Sequence, residues 1–148
     1  EKEEAAALGV ESVSMQDVFQ RSYVIGNHLP NLPSLRGVLN AALFSRMREN
    51  ATFINTGRGA QVVEADLIET LGERPDLTAL LDVTFPEPPP ADSELYRLPN
   101  VQLSSHIAGS MNDEVVRMAD FMIEEFIAWE AGKPLRYQVT RELLERMA

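Results

Sequence analysis

Cysteine is absent from this chain of 148 residues. That excludes a disulfide scaffold, cysteine zinc sites and thiol catalysis, and it fits a reducing compartment. Basic residues are few: 13 Lys and Arg against 23 Asp and Glu give a formal net charge of −10. Such a balance argues against nucleic acid or an anionic membrane as partner. No apolar run approaches the ~20 residues of a membrane span, and no signal peptide opens the chain, so cytoplasmic is the default expectation. Glycine in phosphate-cradling register is missing too. Gly57 and Gly59 stand close together without a third glycine in step, so no Gly-x-Gly-x-x-Gly turn can seat a pyrophosphate on a helix N-terminus. Neither an internal repeat nor a low-complexity tract occurs. The hydrophobic content of 45% suffices for one ordinary core, and the length is too short for two full domains.

Within those bounds the chain alternates strand-like and helix-like segments. Residues 1–8 are strong helix formers, with Gly9 as C-cap and an acidic run at 1–4 that reads as a solvated face. An extended piece at 10–13 and a small helix at 15–20 follow. Residues 23–28 read as a buried strand running into the proline-punctuated loop Leu29-Pro30-Asn31-Leu32-Pro33. A helix over 40–47 sets Leu43 and Met47 on one face, 52–55 is a strand, and a helix over 63–71 turns Leu67, Ile68 and Leu71 inward. Residues 78–83 and 101–105 are further apolar strands, separated by the stiff proline loop at 86–90. The longest helix runs from an Asn112 cap to 131, with Val115, Met118, Met122, Ile123, Phe126 and Ile127 as its apolar stripe and Gly132 and Pro134 ending it. Trp129 and the methionines at helical spacing read as core. A short helix capped by Thr140 is expected in the tail.

This alternation predicts an α/β fold, a parallel sheet of five short strands covered on both faces. Ligands of such sheets bind beyond the carboxyl ends of the strands. Three chemistry-bearing residues fall just past such ends: Arg58 in Ile54-Asn55-Thr56-Gly57-Arg58-Gly59, Glu87 in Asp82-Val83-Thr84-Phe85-Pro86-Glu87-Pro88, and His106 in Ser104-Ser105-His106-Ile107-Ala108-Gly109. An arginine, a carboxylate and a histidine together can hold a carboxylate-bearing substrate and move a proton. Singly, each has a plainer reading: a surface ion-pair arginine, a satisfied strand-end histidine, a solvated glutamate. Asp82 alone could simply cap a turn.

The ordered motifs carry more than any one residue. His28-Leu29-Pro30 comes first, followed by Phe53-Ile54-Asn55-Thr56-Gly57-Arg58-Gly59 with Val63-Glu64-Ala65-Asp66-Leu67. Next stand Leu81-Asp82-Val83 with Pro86-Glu87-Pro88, then Leu98-Pro99-Asn100-Val101 and His106-Ile107-Ala108-Gly109. Over most of its length the chain resembles the C-terminal part of the NAD-binding domain of the D-isomer-specific 2-hydroxyacid dehydrogenases. The resemblance implies a partial Rossmann-type, doubly wound parallel sheet, with NAD as cofactor and NADP not excluded. It implies a small 2-oxo or 2-hydroxy acid as substrate. Arg58 is then expected to grip the substrate carboxylate through its planar fork, and His106 to act as general acid and base. Glu87 is expected to hydrogen-bond the histidine, orient it and, as a buried anion, favour its protonated form. Asp82 is expected to accept from the nicotinamide carboxamide. Leu29, Pro30, Thr56, Gly57, Ala108 and Gly109, with Arg58 and His106, are expected to line the cofactor. His28 reads as a loop residue rather than a chemical one.

The departures from the family pattern are as specific as the matches. The Gly-rich fingerprint, the acidic residue that ends the second strand and the N-terminal substrate-binding segment are all missing. Locally, Ser105 stands where proline is usual and Ala60 replaces a common second glycine. The expectation is therefore a fragment of a longer dehydrogenase, inactive alone and homodimeric when full length. Residues 1–134 would form an incomplete NAD-binding domain and 135–148 a tail returning towards the substrate-binding domain. Without the two central strands, 10–13 would lose its neighbour and 23–28 would present a bare apolar edge. The alternative is a non-catalytic remnant, or a cofactor-sensing or interaction module of the same family.

Overall fold

The computed structural model describes residues 2–109, 111–145 and 147; Glu1, the first residue of the expected opening helix, lies outside them. Helix α1 (Lys2–Ala7) ends at Gly9, whose φ of 70° needs a residue without a Cβ. Helix α2 (Met15–Arg21) starts at Ser14, whose hydroxyl accepts from the Asp17 N–H at 3.1 Å. Strand β1 (Val24–Asn27) leads through a 3-10 turn at Pro33–Leu35 to the one-turn helix α3 (Ala41–Phe44) and strand β2 (Thr52–Asn55). Helix α4 (Glu64–Glu73), β3 (Thr78–Leu81), a 3-10 turn at Glu94–Tyr96, β4 (Val101–Leu103), α5 (Asp113–Glu130) and α6 (Arg141–Leu144) complete the order.

The four strands pair in parallel in the order β1-β2-β3-β4, with Ile25 beside Phe53 and Phe53 beside Ala79. A parallel crossover is right-handed, so strands added in one direction place every connecting helix on the same face. Alternation along each strand does the rest. Ile25, Phe53, Ala79 and Leu81 point into that face and are buried. There they meet Phe19 of α2, Phe44 of α3, and Leu67 and Leu71 of α4. Phe44 is the hub: its ring lies 5.8 Å from that of Phe19 and 5.4 Å from that of Phe53, both edge-on. The Asp66 carboxylate accepts the Ala41 N–H at 2.8 Å, fastening the start of α3 to α4.

Several expectations need correction. Residues 10–13 form no strand among the described residues, since nothing pairs with them, and the sheet has four strands. The sheet is not covered on both faces: Val24 is 62% exposed and Gln102 is exposed, because the sequential strand order sends all the crossovers to one side. Strand β1 is one of the two edges of the sheet, with Tyr23 beside it 57% exposed. The helix over 40–47 closes after one turn. The apolar stripe of α5 is real as a pattern and bare as a surface: Val115, Met118, Met122, Ile123, Phe126 and Ile127 are all more than half exposed. Trp129, expected in the core, is 65% exposed. Periodicity marks which face of a helix is apolar without saying what covers it. The tail folds back locally, with the Arg136 and Tyr137 N–H groups both donating to the Glu125 carboxylate at 3.1 Å.

Phe44 is fully buried between the sheet and two helices, so Phe44→Ala is expected to destabilise by about 3–5 kcal/mol. Urea unfolding of the variant and the parent measures that difference.

Candidate active site

Because the strands are parallel, their carboxyl ends share one edge of the sheet, and every candidate residue is delivered there. Leu29 and Pro30 follow β1; Thr56, Gly57 and Arg58 follow β2; Asp82 and Glu87 follow β3; His106, Ala108 and Gly109 follow β4. A cleft of about 710 Å³ opens at the β3–β4 end, lined by Asp82, Glu87, Tyr96, Ser104, His106 and Ile107 among others.

His106 Nδ1 lies 2.7 Å from Glu87 Oε1. The two side chains keep 48% and 42% of their surface exposed, so Glu87 is not the buried anion expected from the sequence; its proline loop holds it at the rim. The loop carries cis bonds at Phe85–Pro86 and Glu87–Pro88. Thr84 Oγ1 braces it by donating to the Pro86 carbonyl at 2.8 Å. The backbone of His106 sits at φ 58°, an uncommon conformation for a residue with a Cβ.

Asp82 accounts for that conformation. Its carbonyl accepts the His106 N–H at 3.0 Å. One carboxylate oxygen accepts from Ser104 Oγ and from the Ile107 N–H at 2.8 Å, and the other accepts from the Ala108 N–H at 2.9 Å. Burial alone would raise the Asp82 pKa; the bonds from Ser104, Ala108 and Ile107 and the nearby His106 outweigh it and hold the carboxyl below its ordinary value. The aspartate thus clamps the histidine loop from both sides. Across the loop, burial raises the Glu64 carboxyl above its usual range, partly offset by a hydrogen bond with the Phe85 backbone.

Arg58 stands apart from this pair. It does not line the cleft, it forms no ion pair among the described residues, and its Nη1 donates to its own Gly57 carbonyl at 2.7 Å. Its turn is nevertheless fixed to the acidic loop: a Cβ at Gly59 would fall 2.0 Å from the Thr84 carbonyl carbon and oxygen, so only glycine permits this approach. The segment after β1 also ladders onto the turn, with Gly37 donating to Ala60, Leu39 to Gln61 and Val63 to Leu39.

A buried amide cluster escaped the sequence reading. Asn27 Nδ2 donates to Asn55 Oδ1 at 2.9 Å and to Gln61 Oε1 at 2.7 Å. Gln61 Nε2 donates to the carbonyls of Leu29 and Pro30 at 2.9 and 2.7 Å. Asn55 Oδ1 also accepts the Gly57 N–H at 3.2 Å. An asparagine closing each of two apolar strands was a usable signal for the first pair, since such positions face the shared carboxyl edge. Gln61 had none. Beside the cluster, His28 Nδ1 lies 3.0 Å from Thr56 Oγ1, a loop contact. Among the described residues, no group of three or more His, Asp or Glu side chains could hold a metal.

Known proteins resemble this chain in sequence and in fold. The family model described as the NAD binding domain of D-isomer specific 2-hydroxyacid dehydrogenase matches residues 1–108. Glyoxylate/hydroxypyruvate reductase A of Escherichia fergusonii is 34% identical over 140 residues, covering 90% of this chain and 43% of that protein. Among solved structures, the NADPH-dependent glyoxylate/hydroxypyruvate reductase of Sinorhizobium meliloti, in complex with NADP and sulfate, has a TM-score of 0.76 at 34% identity. That match covers 88% of this chain and 43% of the other. D-lactate dehydrogenase with NAD+ from Lactobacillus jensenii has a TM-score of 0.78 at 27% identity, covering 89% and 44%. The chain spans less than half the length of the curated relatives it matches, between 27% and 43% in these cases.

Gly59→Ala is expected to force the arginine turn off the Thr84 backbone and to destabilise by more than the ~0.4–1 kcal/mol that a sterically compatible Gly→Ala change gains; thermal unfolding and a crystal structure of the variant test this. A lowered folded-state pKa at Asp82 means a stabilising contribution that is present above the ordinary aspartate pKa of ~3.9 and lost as pH falls through the lower folded value. The stability gap between the parent and Asp82→Asn should therefore close as the medium is acidified below about pH 4. A gap that stays constant with pH contradicts it.

Proposed function

The chain belongs to the D-isomer specific 2-hydroxyacid dehydrogenase family through its NAD-binding domain, and from that premise we propose that it serves an NAD(P)-dependent oxidoreductase that interconverts a small 2-oxo acid and the D-2-hydroxy acid. The observation that carries this reading is the His106–Glu87 pair at 2.7 Å, set on the strand-end edge and clamped by Asp82. With Nδ1 engaged by Glu87, His106 keeps Nε2 to give a proton to the substrate oxygen during reduction and to take it back during oxidation. The exposed rim gives it access to water and substrate. Arg58, with further guanidinium donors beyond the one bound to Gly57, holds the substrate carboxylate.

The edge fits the nicotinamide half of a dinucleotide. Asp82 retains acceptor capacity on the oxygen bound to Ala108, and the space above Gly109 is open. Leu29, Pro30, Thr56, Gly57, Asp82, Ala108 and Gly109 are the residues that would hold it, with Arg58 and His106 alongside. When bound, the cofactor supplies or accepts the hydride. The related structures hold NADP in one case and NAD+ in another; NAD is our reading here, with NADP as the alternative. In the same reading, residues 1–134 are part of the cofactor domain and 135–148 lead back to a substrate domain. The complete protein is then a cytoplasmic homodimer, supported by the cysteine-free composition and the bare apolar stripe of α5. Arg58, which stands apart from the His106–Glu87 pair and donates to the Gly57 carbonyl, favours a second reading, a cofactor-sensing or non-catalytic relative.

The assay is NADH oxidation with glyoxylate, hydroxypyruvate and phenylpyruvate by the longer protein that carries this sequence. Arg58→Ala and His106→Ala are each expected to lower kcat/KM by roughly 10²–10⁴-fold. The 148 residues alone are expected to show no turnover, for want of a seat for the pyrophosphate. A longer protein indifferent to His106→Ala sinks the catalytic reading and leaves the sensing one.

A further inference from the structure

We propose that Gln61 is a positioning residue that sets the cofactor-lining Leu29-Pro30 loop against the arginine turn; this rests on the dehydrogenase reading above. Gln61 is 2% exposed and every polar atom of its side chain is engaged. Its Oε1 accepts from Asn27 Nδ2 at 2.7 Å and from the Arg58 N–H at 3.3 Å. Its Nε2 spends both hydrogens on two successive carbonyls, Leu29 at 2.9 Å and Pro30 at 2.7 Å. One amide therefore spans three segments: the end of the edge strand β1, the loop beyond it and the turn that carries Arg58.

The arrangement requires an amide. Two acceptors and two donors are needed on one planar group, and only glutamine or asparagine offers both. Asparagine is one methylene short of this reach. The loop's other ties are the Leu29 N–H to Asn27 Oδ1 at 3.2 Å, the Leu32 N–H to the Pro30 carbonyl at 2.9 Å and, where it starts, His28 Nδ1 to Thr56 Oγ1 at 3.0 Å; Gln61 is what joins Leu29 and Pro30 themselves to the arginine turn. A Cβ on Gly57 would sit 2.9 Å from Asn27 Nδ2, so the turn is pressed against the same cluster and cannot shift to follow a displaced loop. The cofactor-lining loop is thus held in place against the arginine turn through Gln61, which is not itself among the residues proposed to line the cofactor.

Gln61→Glu isolates the effect because it keeps size and acceptors and turns a bare oxygen towards two carbonyls. In the longer protein, NADH binding followed by fluorescence is expected to weaken roughly 10–100-fold at neutral pH, the scale of two buried acceptors losing their donors. KM for NADH should rise in parallel, while kcat at saturating NADH changes little. The introduced carboxyl, being buried, takes up a proton as pH falls and regains one donor. The ratio of variant to parent Kd should therefore shrink towards low pH; His28, Arg58 and His106, common to both proteins, cancel from it. Gln61→Met, uncharged, should weaken binding without that pH dependence, and it stands in if Gln61→Glu unfolds at the assay temperature. Parent-like NADH binding by both variants overturns the positioning role and leaves the dehydrogenase reading standing. A variant whose kcat falls as much as its affinity, with a flat pH ratio, also overturns it, in favour of general loosening. A parent protein that neither binds NADH nor reduces any 2-oxo acid overturns the dehydrogenase reading and this inference with it.

Discussion

Right-handed crossovers between parallel strands constrain almost everything else in this chain. Once β1 to β4 are laid side by side in sequence order, the connecting helices must share one face and the strand ends must share one edge. The shared face becomes the core, built on Phe19, Phe44 and Phe53 and extended by the leucines of α4. The shared edge collects the loops. Residues separated by tens of positions in the sequence, such as Leu29, Arg58, Glu87 and His106, arrive at one rim because the strands that carry them are parallel; of these four, His106 and Glu87 then bond to each other.

Polarity is sorted along the same axis. Among the described residues the buried polar ones are Asn27, Asn55, Gln61, Asp82 and Thr84, and each lies at the carboxyl edge. A buried amide or carboxylate is costly unless its hydrogen bonds are made. Here the exposed ends of the strands provide the partners: loop N–H groups for Asp82 and Asn55, loop carbonyls for Gln61. The loops are fixed in return. Asp82 imposes a positive φ on His106, and Gln61 binds the loop after β1 to the turn after β2. The candidate site is therefore held mainly by buried hydrogen bonds beneath it, while the His106–Glu87 pair itself stays open to solvent.

The opposite surfaces carry the cost of that one-sidedness. Val24 on the open face of the sheet and the apolar residues of α5 remain in water. Nothing among the described residues covers them. The helix is well formed, with acidic residues Asp113 and Glu114 in its first turn suited to the helix dipole, so its bareness is not a failure of local structure. Its apolar side is formed by local sequence and left exposed.

The sequence by itself determined the element types, the parallel α/β class and the place of each candidate residue just beyond a strand. These depend on local periodicity, capping and proline or glycine punctuation, which neighbouring residues write directly into the chain. Ordered motifs added the family, because five separated signatures in the right sequence leave little room for coincidence. Only the tertiary structure decided which apolar faces were buried. The stripe of α5 and that of α4 look alike in one dimension, yet Leu67 and Leu71 find a sheet while Phe126 and Ile127 find solvent. Residues 10–13 have strand-like composition, but a strand exists only with a partner, and none is there. Gln61 is silent in the sequence for the same reason: its role is a set of contacts with residues some thirty positions away, and a hydrogen-bond network between distant segments comes into being only when the fold brings them together.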